Sequence, residues 1–322
     1  MLTRRHLLLA TPLAAAGSGF TAVSAANAPA SFSAERVDEC YLLRTGDARS
    51  IVRYVAGELP EGERKASIRS GGFCHPLHTP LGEIVTDLAP ADHPHHRGIF
   101  CGWVHVEGEK AGDWWGWGAK APTEGRLIVN REARVTEETE KRVVMRVINS
   151  WRAEDETVLG ERVTVTASTA AGCNVVDYEL KYAIPTRKTV LLAQNPFGGF
   201  CYRARPRGKA EVSGPGGVIG APDSVFDRQQ TNWPPSRWYD LTYRDGEKSS
   251  GVAIIDHPDN PPSTWHVHRG IPMLNPCIVA DAPVNIVFGE PLYLKYRVIA
   301  HDGDAAAIDF DTLYETFSKT RS

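Results

Sequence analysis

The sequence has no excess of basic residues, no closely spaced cysteines and few strong helical patterns. Its 36 Lys and Arg are balanced by 39 Asp and Glu, which gives a formal net charge of -3. Nothing in this balance favours a nucleic acid or an anionic membrane surface as a partner. The 6 Cys are widely spaced, and without a Cys-x-x-Cys pair a zinc ribbon or a thioredoxin motif is excluded.

Several catalytic signatures are also absent from the sequence. It contains no His-Glu-x-x-His, no Gly-x-Ser-x-Gly, no phosphate-binding loop and no dinucleotide fingerprint. A zincin protease, an α/β-hydrolase and a nucleotide-dependent enzyme are therefore poor interpretations. Beyond residue 28, no stretch approaches the roughly 18 apolar residues of a membrane-spanning helix, so we expect no membrane span.

The first 28 residues have the pattern of an export signal. Arg4 and Arg5 precede a mildly apolar stretch at 7–16, and Ala26-Asn27-Ala28 is a small-residue cleavage site. Charged, apolar and cleavage regions in this order predict removal of residues 1–28. The paired arginines favour a bacterial twin-arginine signal over an ordinary secretory one. We therefore expect a periplasmic or secreted protein, with residues 29–322 forming a single domain.

Alternation of apolar and polar side chains is the clearest periodic signal in the remaining chain. It predicts strands at 143–151, 162–167, 174–182 and 292–298. The 22 Pro and 29 Gly fit many short strands joined by turns. One helix is predicted at 309–320, from apolar residues at helical spacing. The fold class expected from these patterns is all-β, a large antiparallel β-sandwich.

Histidines are concentrated in two segments. Nine of the 11 His fall either in the first histidine segment, residues 75–105, or in the second, residues 257–268. In an extended chain His93 and His95 share one face and His96 points to the other. Such imidazoles suit acid-base catalysis, because histidine titrates near neutral pH. They equally suit a divalent metal such as copper or zinc, with His93, His95 and His268 as ligands.

Tryptophans near these segments favour a sugar ligand. Trp114, Trp115 and Trp117 follow the first histidine segment closely, and Trp265 lies within the second. Indole rings stack on the apolar faces of sugar rings, while neighbouring polar side chains bind the hydroxyl groups. Core packing is the alternative for each of these residues.

The two segments together resemble a known bacterial family, the PmoA-like proteins, also called the methane oxygenase PmoA family. The segments that carry this resemblance are 92–98, 113–116, 251–261, 265–267, 275–276, 289–290 and 296–298. The resemblance implies a β-sandwich akin to the galactose-mutarotase supersandwich, and a carbohydrate substrate. It does not imply methane oxidation, since a membrane copper oxygenase subunit has membrane-spanning helices.

These observations predict an exported protein that acts on sugars or on oxidised (keto) glycosides by histidine acid-base or metal-assisted chemistry, such as a lyase, hydrolase or epimerase. The alternatives are a non-catalytic carbohydrate-binding module and a copper or zinc metalloprotein. The predicted catalytic residues are His95, His96, Arg97, His266 and Glu290. The predicted substrate-binding residues are Asp113, Trp114, Trp115, His257, Asn260, Trp265 and Asn275. All of this requires the two histidine segments to face one cavity.

Overall fold

Long strands with alternating side chains build the structure, a computed structural model that describes residues 30–220, 233–267 and 271–320. The strand predicted at 174–182 shows the pattern. Val176, Tyr178 and Leu180 are buried in the core, whereas Glu179 and Lys181 point away from it. Because successive side chains point to opposite faces of a strand, this sequence gives one apolar and one polar face.

The described residues form twenty strands, one α-helix and two single 3-10 turns. In chain order the strands are β1 (Ser33–Val37), β2 (Cys40–Arg44), β3 (Ser50–Val55), β4 (Phe73–Leu77), β5 (Ile99–Gly102), β6 (Val106–Glu107), β7 (Arg126–Glu138), β8 (Arg142–Ala153), β9 (Glu156–Ala170), β10 (Cys173–Ala183), β11 (Thr189–Leu192), β12 (Gly199–Arg203), β13 (Lys209–Gly214), β14 (Gly217–Gly220), β15 (Trp238–Asp245), β16 (Lys248–Asp256), β17 (Thr264–Val267), β18 (Met273–Cys277), β19 (Val284–Val287) and β20 (Leu292–Asp302). The 3-10 turns are Glu61–Glu63 and Ala305–Ala307, and the helix α1 is Phe310–Phe317.

The strands form three sheets. One sheet has eight strands in the order β1-β2-β3-β4-β5-β12-β18-β17, and another has nine in the order β14-β13-β15-β16-β20-β10-β9-β8-β7. A small sheet has the order β19-β11-β6. Neighbouring strands pair antiparallel, as in the long β8-β9-β10-β20 series. The predicted large antiparallel β-sandwich is therefore confirmed.

The main core lies between the eight-stranded and nine-stranded sheets. Tyr202 and Leu274 reach it from the former, and Met145, Val165 and Val298 from the latter. Burial of a side chain of this size stabilises the folded state by about 1.5–3 kcal/mol. The main core thus fixes the two sheets as facing layers.

The outer face of the eight-stranded sheet carries a second apolar cluster. Phe73 pairs with Phe100 across β4 and β5, and Phe100 pairs with Cys201 across β5 and β12. Paired residues share a face of the sheet. Because all three belong to a cluster separate from the main core, that face is the one turned away from the main core. Trp115 and Phe197 pack against them from the connecting loops. This loop-covered face carries the candidate site.

Helix α1 covers part of the opposite outer face, that of the nine-stranded sheet. Asp309 caps its N-terminus by accepting a hydrogen bond from the Thr312 N–H at 2.9 Å. Phe310, Leu313 and Phe317 are its buried residues, and they pack in a cluster on this sheet. The predicted helix is confirmed, and it ends at Phe317, three residues before the predicted limit.

Three further sequence features concern the chain as a whole. All six cysteines lie in the described part and are buried, unpaired thiols. Within the described ranges, no helix is long and apolar enough to cross a membrane. The predicted export signal at 1–28 lies outside the described residues.

Candidate functional site

The chain around the three adjacent histidines is folded into turns. The His93 N–H donates to the Pro90 carbonyl at 3.1 Å, and the His96 N–H donates to the His93 carbonyl at 2.9 Å. The second turn has Pro94 at its second position, where the fixed proline φ is favourable. The extended conformation expected from the sequence is therefore wrong, and His96 does not point away from His93 and His95.

These turns gather the three imidazoles into a cluster, hereafter the histidine cluster of His93, His95 and His96. The His93 and His96 rings are stacked with their centroids 4.9 Å apart. His95 meets His96 edge-on at 4.6 Å and His93 at 5.6 Å. His96 also contacts the Trp115 ring at 5.5 Å. The cluster is thereby anchored to the outer face of the eight-stranded sheet.

A carboxylate orients one imidazole of the cluster. Asp92 Oδ2 lies 3.0 Å from His93 Nδ1, and Arg203 Nη2 donates to both Asp92 oxygens at 2.9 and 2.8 Å. Burial opposes ionisation of Asp92, but the hydrogen bonds from Arg203 and His93 outweigh it and lower its pKa. Because an ionised carboxylate can only accept, the proton of neutral His93 belongs on Nδ1. His93 Nε2 is then left as the basic nitrogen.

The imidazoles of His95 and His96 are neutral at neutral pH. Burial, with the nearby His93 and Arg97, lowers the pKa of His95 to about 4. Burial and the neighbouring His95 and Arg203 lower the pKa of His96 still further. His96 is 2% exposed, whereas His95 is half-buried. His93 and His95 are therefore the members of the cluster that solvent or a substrate reaches.

The second histidine segment reaches the same face of the sheet through His266. His266 on β17 is directly opposite Asn275 on β18, and its ring lies 5.4 Å from the Phe197 ring. Phe197 contacts Trp115 at 5.8 Å, and Trp115 contacts His96. Strands β5 and β17 are separated by three spacings of about 4.8 Å, or about 14 Å. His266 therefore lies on the same loop-covered face as the histidine cluster, and Phe197 and Trp115 connect the two by ring contacts.

Other residues of the second histidine segment lie elsewhere. His257 contacts the Phe317 ring of α1 at 5.0 Å. The Asn260 amide donates to Asp256 Oδ1 at 2.5 Å and to the Lys295 carbonyl at 2.7 Å. Both residues follow β16 of the nine-stranded sheet, because the chain crosses to the eight-stranded sheet only at β17. The expectation that His257 and Asn260 line the same cavity as the first histidine segment is therefore wrong.

Three predicted site residues hold loops in place. Asp113 accepts hydrogen bonds from the Gly116 and Gly118 N–H groups at 2.8 and 2.7 Å, and burial raises its pKa. Asn275 is fully buried and bonds the backbone of Gly198 in both directions at 3.0 Å. These two side chains position the loops that carry Trp117 and Phe197.

The third such residue is Arg97, which is buried beneath the cluster. Its guanidinium donates to the Trp115 and Trp114 carbonyls at 3.1 and 3.3 Å and lies 4.5 Å from the Phe100 ring centre. Burial, set against nearby Cys101 and Asp113, lowers its pKa to about 10. Arg97 therefore stays cationic and supports the loop at 113–118, hereafter the tryptophan loop, which is a different role from the predicted catalytic one.

Three predicted sugar-binding tryptophans are core residues. Trp114, Trp115 and Trp265 are 4%, 1% and 0% exposed, so none offers an open face to a sugar. Trp117 is 43% exposed and its ring lies 5.5 Å from that of Phe197. Trp117 lies between two glycines and outside the core, and it is the tryptophan of this loop that can stack on a ligand.

The remaining predicted residues are Glu290 and the metal ligands. Glu290 is exposed in the turn between β19 and β20, where its N–H donates to the Val287 carbonyl at 3.0 Å. Across the described ranges, no contact joins it to the histidine cluster, and no three His, Cys, Asp or Glu residues are grouped as metal ligands. His268, the third predicted ligand, lies outside those ranges.

Sequence reasoning missed Asp92, Arg203 and Phe197 as parts of the site. Asp92 had a signal, because it directly precedes His93. Arg203 had none, since it lies 111 positions from Asp92. Phe197 lies between Pro196 and Gly198, and only the fold shows that it joins the two histidine segments.

Comparison with known proteins gives a family and several structural neighbours. A family model described as a family of unknown function (DUF6807) matches residues 43–315. The family that this match gives is DUF6807 and not the PmoA-like family. The PmoA-like assignment expected from the sequence is therefore wrong. No curated protein matches the chain.

The structural neighbours include carbohydrate-active proteins. The GH36 α-galactosidase AgaA of Geobacillus stearothermophilus is 10% identical, with 85% of this chain and 40% of that chain covered and a TM-score of 0.41. The α-galactosidase of Lactobacillus brevis is 8% identical, with 85% and 39% covered and a TM-score of 0.41. This chain thus spans about 40% of the first neighbour's length. The GalM/aldose epimerase homologue of C. elegans is 10% identical, with 85% and 99% covered and a TM-score of 0.34.

Proposed function

We propose, from the premise that this chain belongs to DUF6807, a family of unknown function, that it is a carbohydrate-active enzyme. Its histidine cluster transfers protons on a sugar, or on a glycoside oxidised at a ring carbon. The observation that carries this proposal is the Arg203-Asp92-His93 series, in which a carboxylate fixed by a buried arginine orients an imidazole. The exposed Trp117 ring supplies a stacking surface on the same loop-covered face.

The proposed step is elimination beside a ring ketone. A ketone acidifies the neighbouring C–H group, and His93 Nε2 accepts that proton. The C–H electron pair forms a carbon–carbon double bond as the bond to the departing sugar oxygen breaks. The departing oxygen then takes the proton back from the imidazolium. Asp92 stabilises the imidazolium while it exists, as a carboxylate does for a general base. Epimerisation uses the same proton abstraction, followed by return of the proton to the other face.

The rest of the cluster has supporting roles in this proposal. His95 is neutral and half-buried, and it binds substrate hydroxyl groups or relays the proton. His96 packs between His93 and Trp115 and fixes the position of both rings. His266 contacts Phe197 at the far side of the site. As part of the same proposal, the protein acts in the periplasm or outside the cell, as the residues at 1–28 predict.

The test compares variants on glycosides oxidised at a ring carbon and on the unoxidised parents. Release of the leaving group is measured by chromatography for wild type, His93→Ala and His105→Gln. His105 is a matched control, since it pairs with Glu107 at 3.7 Å outside the cluster. We expect His93→Ala to lose activity by about 10² to 10⁴-fold, with His105→Gln unchanged. Equal activity in all three proteins, or no turnover of any glycoside by wild type, contradicts the proposal.

A second candidate is a non-catalytic carbohydrate-binding protein, which the exposed Trp117 favours. It needs the tryptophan loop and does not need the imidazoles. Calorimetry with oligosaccharides, combined with product analysis, separates the two candidates. Binding that is lost in Trp117→Ala, kept in His93→Ala and never followed by product supports the binding protein.

A further inference from the structure

A second surface, on the other layer of the sandwich, also has the features of a ligand site. It is a depression of about 490 Å³ on the outer face of the nine-stranded sheet, beside the part covered by α1. This volume lies within the range of small-ligand sites. Five cationic residues and two carboxylates line it. We call it the basic groove, and its charged residues are Glu132, Arg134, Arg146, Arg162, Glu179, Lys181 and Lys295.

Strand register in the basic groove places like charges directly opposite each other. Arg162 on β9 faces Lys181 on β10, and Arg134 on β7 faces Arg146 on β8. Directly opposed like charges destabilise a sheet. Arg134 has an ion pair with Glu132 at 3.1 Å. In the described part of the chain, no ion pair includes Arg146, Arg162 or Lys181. The groove thus holds an arrangement that a bound anion would stabilise.

Apolar and aromatic side chains lie within this cationic arrangement. Tyr293 on β20 is opposite Lys181, whose Nζ lies 5.1 Å from the Tyr293 ring centre. Ile148 on β8 is opposite Arg162 on the other side. Tyr293 and Ile148 are 48% and 37% exposed. One row across the sheet therefore presents an apolar side chain, two cations and an aromatic ring.

We infer that the basic groove binds an oligosaccharide that carries carboxylates, a chain of sugar acids. The cations match the carboxylates, and the Tyr293 ring offers a stacking face for a pyranose ring. The net charge of -3 on the whole chain opposes a long polyanion or an anionic bilayer. The choice of a sugar acid over another small anion rests on the proposed function. The basic groove lies on the outer face of the nine-stranded sheet, whereas the histidine cluster lies on the outer face of the eight-stranded sheet. The oligosaccharide is therefore bound away from the sugar that reacts.

The test measures binding by calorimetry at low salt. The probes are tetragalacturonate, a neutral tetrasaccharide of the same length and a short single-stranded oligonucleotide. The proteins are the full chain, Arg162→Gln, Lys181→Gln and Arg142→Gln. Arg142 is the matched control, because it lies on the same face of β8 as Arg146 and outside the groove. Circular dichroism confirms that each variant is folded.

We expect tetragalacturonate to bind the full chain and to lose at least tenfold in affinity in Arg162→Gln and Lys181→Gln, with Arg142→Gln unchanged. Equal binding of the neutral tetrasaccharide, equal binding of the oligonucleotide, or an equal loss in Arg142→Gln overturns the inference. His93→Ala separates this inference from the proposed function. If His93→Ala still binds tetragalacturonate and wild type turns over no glycoside, the proposed enzymatic function is wrong and the inferred binding site in the basic groove stands.

Discussion

Removing the charge of Asp92 should weaken both the fold and the chemistry. In Asp92→Asn the amide keeps nearly the same shape, but Arg203 loses its carboxylate partner. Arg203 is 2% exposed, and its Nε and Nη1 are already without hydrogen-bond partners among the described atoms. Losing the partner of a fully buried charge costs about 3–5 kcal/mol. Because the Asp92 side chain is 41% exposed, solvent screening reduces our expectation to about 2 kcal/mol.

The pH dependence provides an internal check on this prediction. Asp92 has a lower pKa in the folded protein than in the unfolded chain. Its contribution to stability is therefore present above the unfolded value, about 3.9, and is lost as the pH falls through the folded value. The stability difference between wild type and Asp92→Asn should be full at neutral pH and should vanish in strong acid.

The assay is urea unfolding followed by tryptophan fluorescence, at neutral and at acid pH. Asp155→Asn is the matched control, because its side chain is fully exposed and pairs with Arg152 at 3.2 Å. We expect no measurable change there. Activity of Asp92→Asn should fall by about 10²-fold or more, since a neutral amide no longer stabilises the His93 imidazolium formed in the proposed step. Two results refute the reasoning: equal stability of the two variants at neutral pH, or a loss in Asp92→Asn that persists in strong acid.

Three further predictions follow from burial and charge. Trp117→Ala should change the free energy of unfolding by less than about 1 kcal/mol yet lower sugar affinity in calorimetry, and unchanged affinity would exclude the stacking role. Trp265→Ala, at a side chain that is 0% exposed, should cost about 3–5 kcal/mol in urea unfolding, and a cost below about 1 kcal/mol would contradict its place in the core. Burial raises the pKa of Asp256 from 3.8 to about 6, so the contribution of this carboxyl to wild-type stability should fall by about 3 kcal/mol as the pH rises through this window. Asp256→Asn should lack that slope, and parallel stability profiles of the two proteins would show that Asp256 is not the cause.

The sequence predicted the parts of the fold that depend on local pattern. Alternation over 174–182 identified β10 because one face of that strand is buried and the other is not. The spacing of Phe310, Leu313 and Phe317 identified α1 for the same reason, since one side of the helix packs on a sheet. Such patterns follow from which side chains are buried, so they predict a strand or a helix without knowledge of the neighbouring strands.

The site was predicted less well because it depends on contacts between distant segments. The histidine cluster forms through turns at Pro94, where the sequence pattern predicts an extended chain. Asp92 pairs with Arg203 only because β12 lies beside β5 in the folded sheet. His257 and His266 are nine positions apart, but β16 and β17 belong to different sheets. Residue type alone does not distinguish exposed Trp117 from buried Trp115, since both lie in one loop.

The most direct test of the central claim follows a proton. A glycoside oxidised at a ring carbon is incubated with the protein in heavy water, and mass spectrometry records deuterium in recovered substrate and product. If His93 Nε2 removes the proton beside the ketone, wild type and His105→Gln will exchange that position faster than buffer alone, and His93→Ala will not. Exchange by His93→Ala at the wild-type rate, or none above buffer in wild type, contradicts the account.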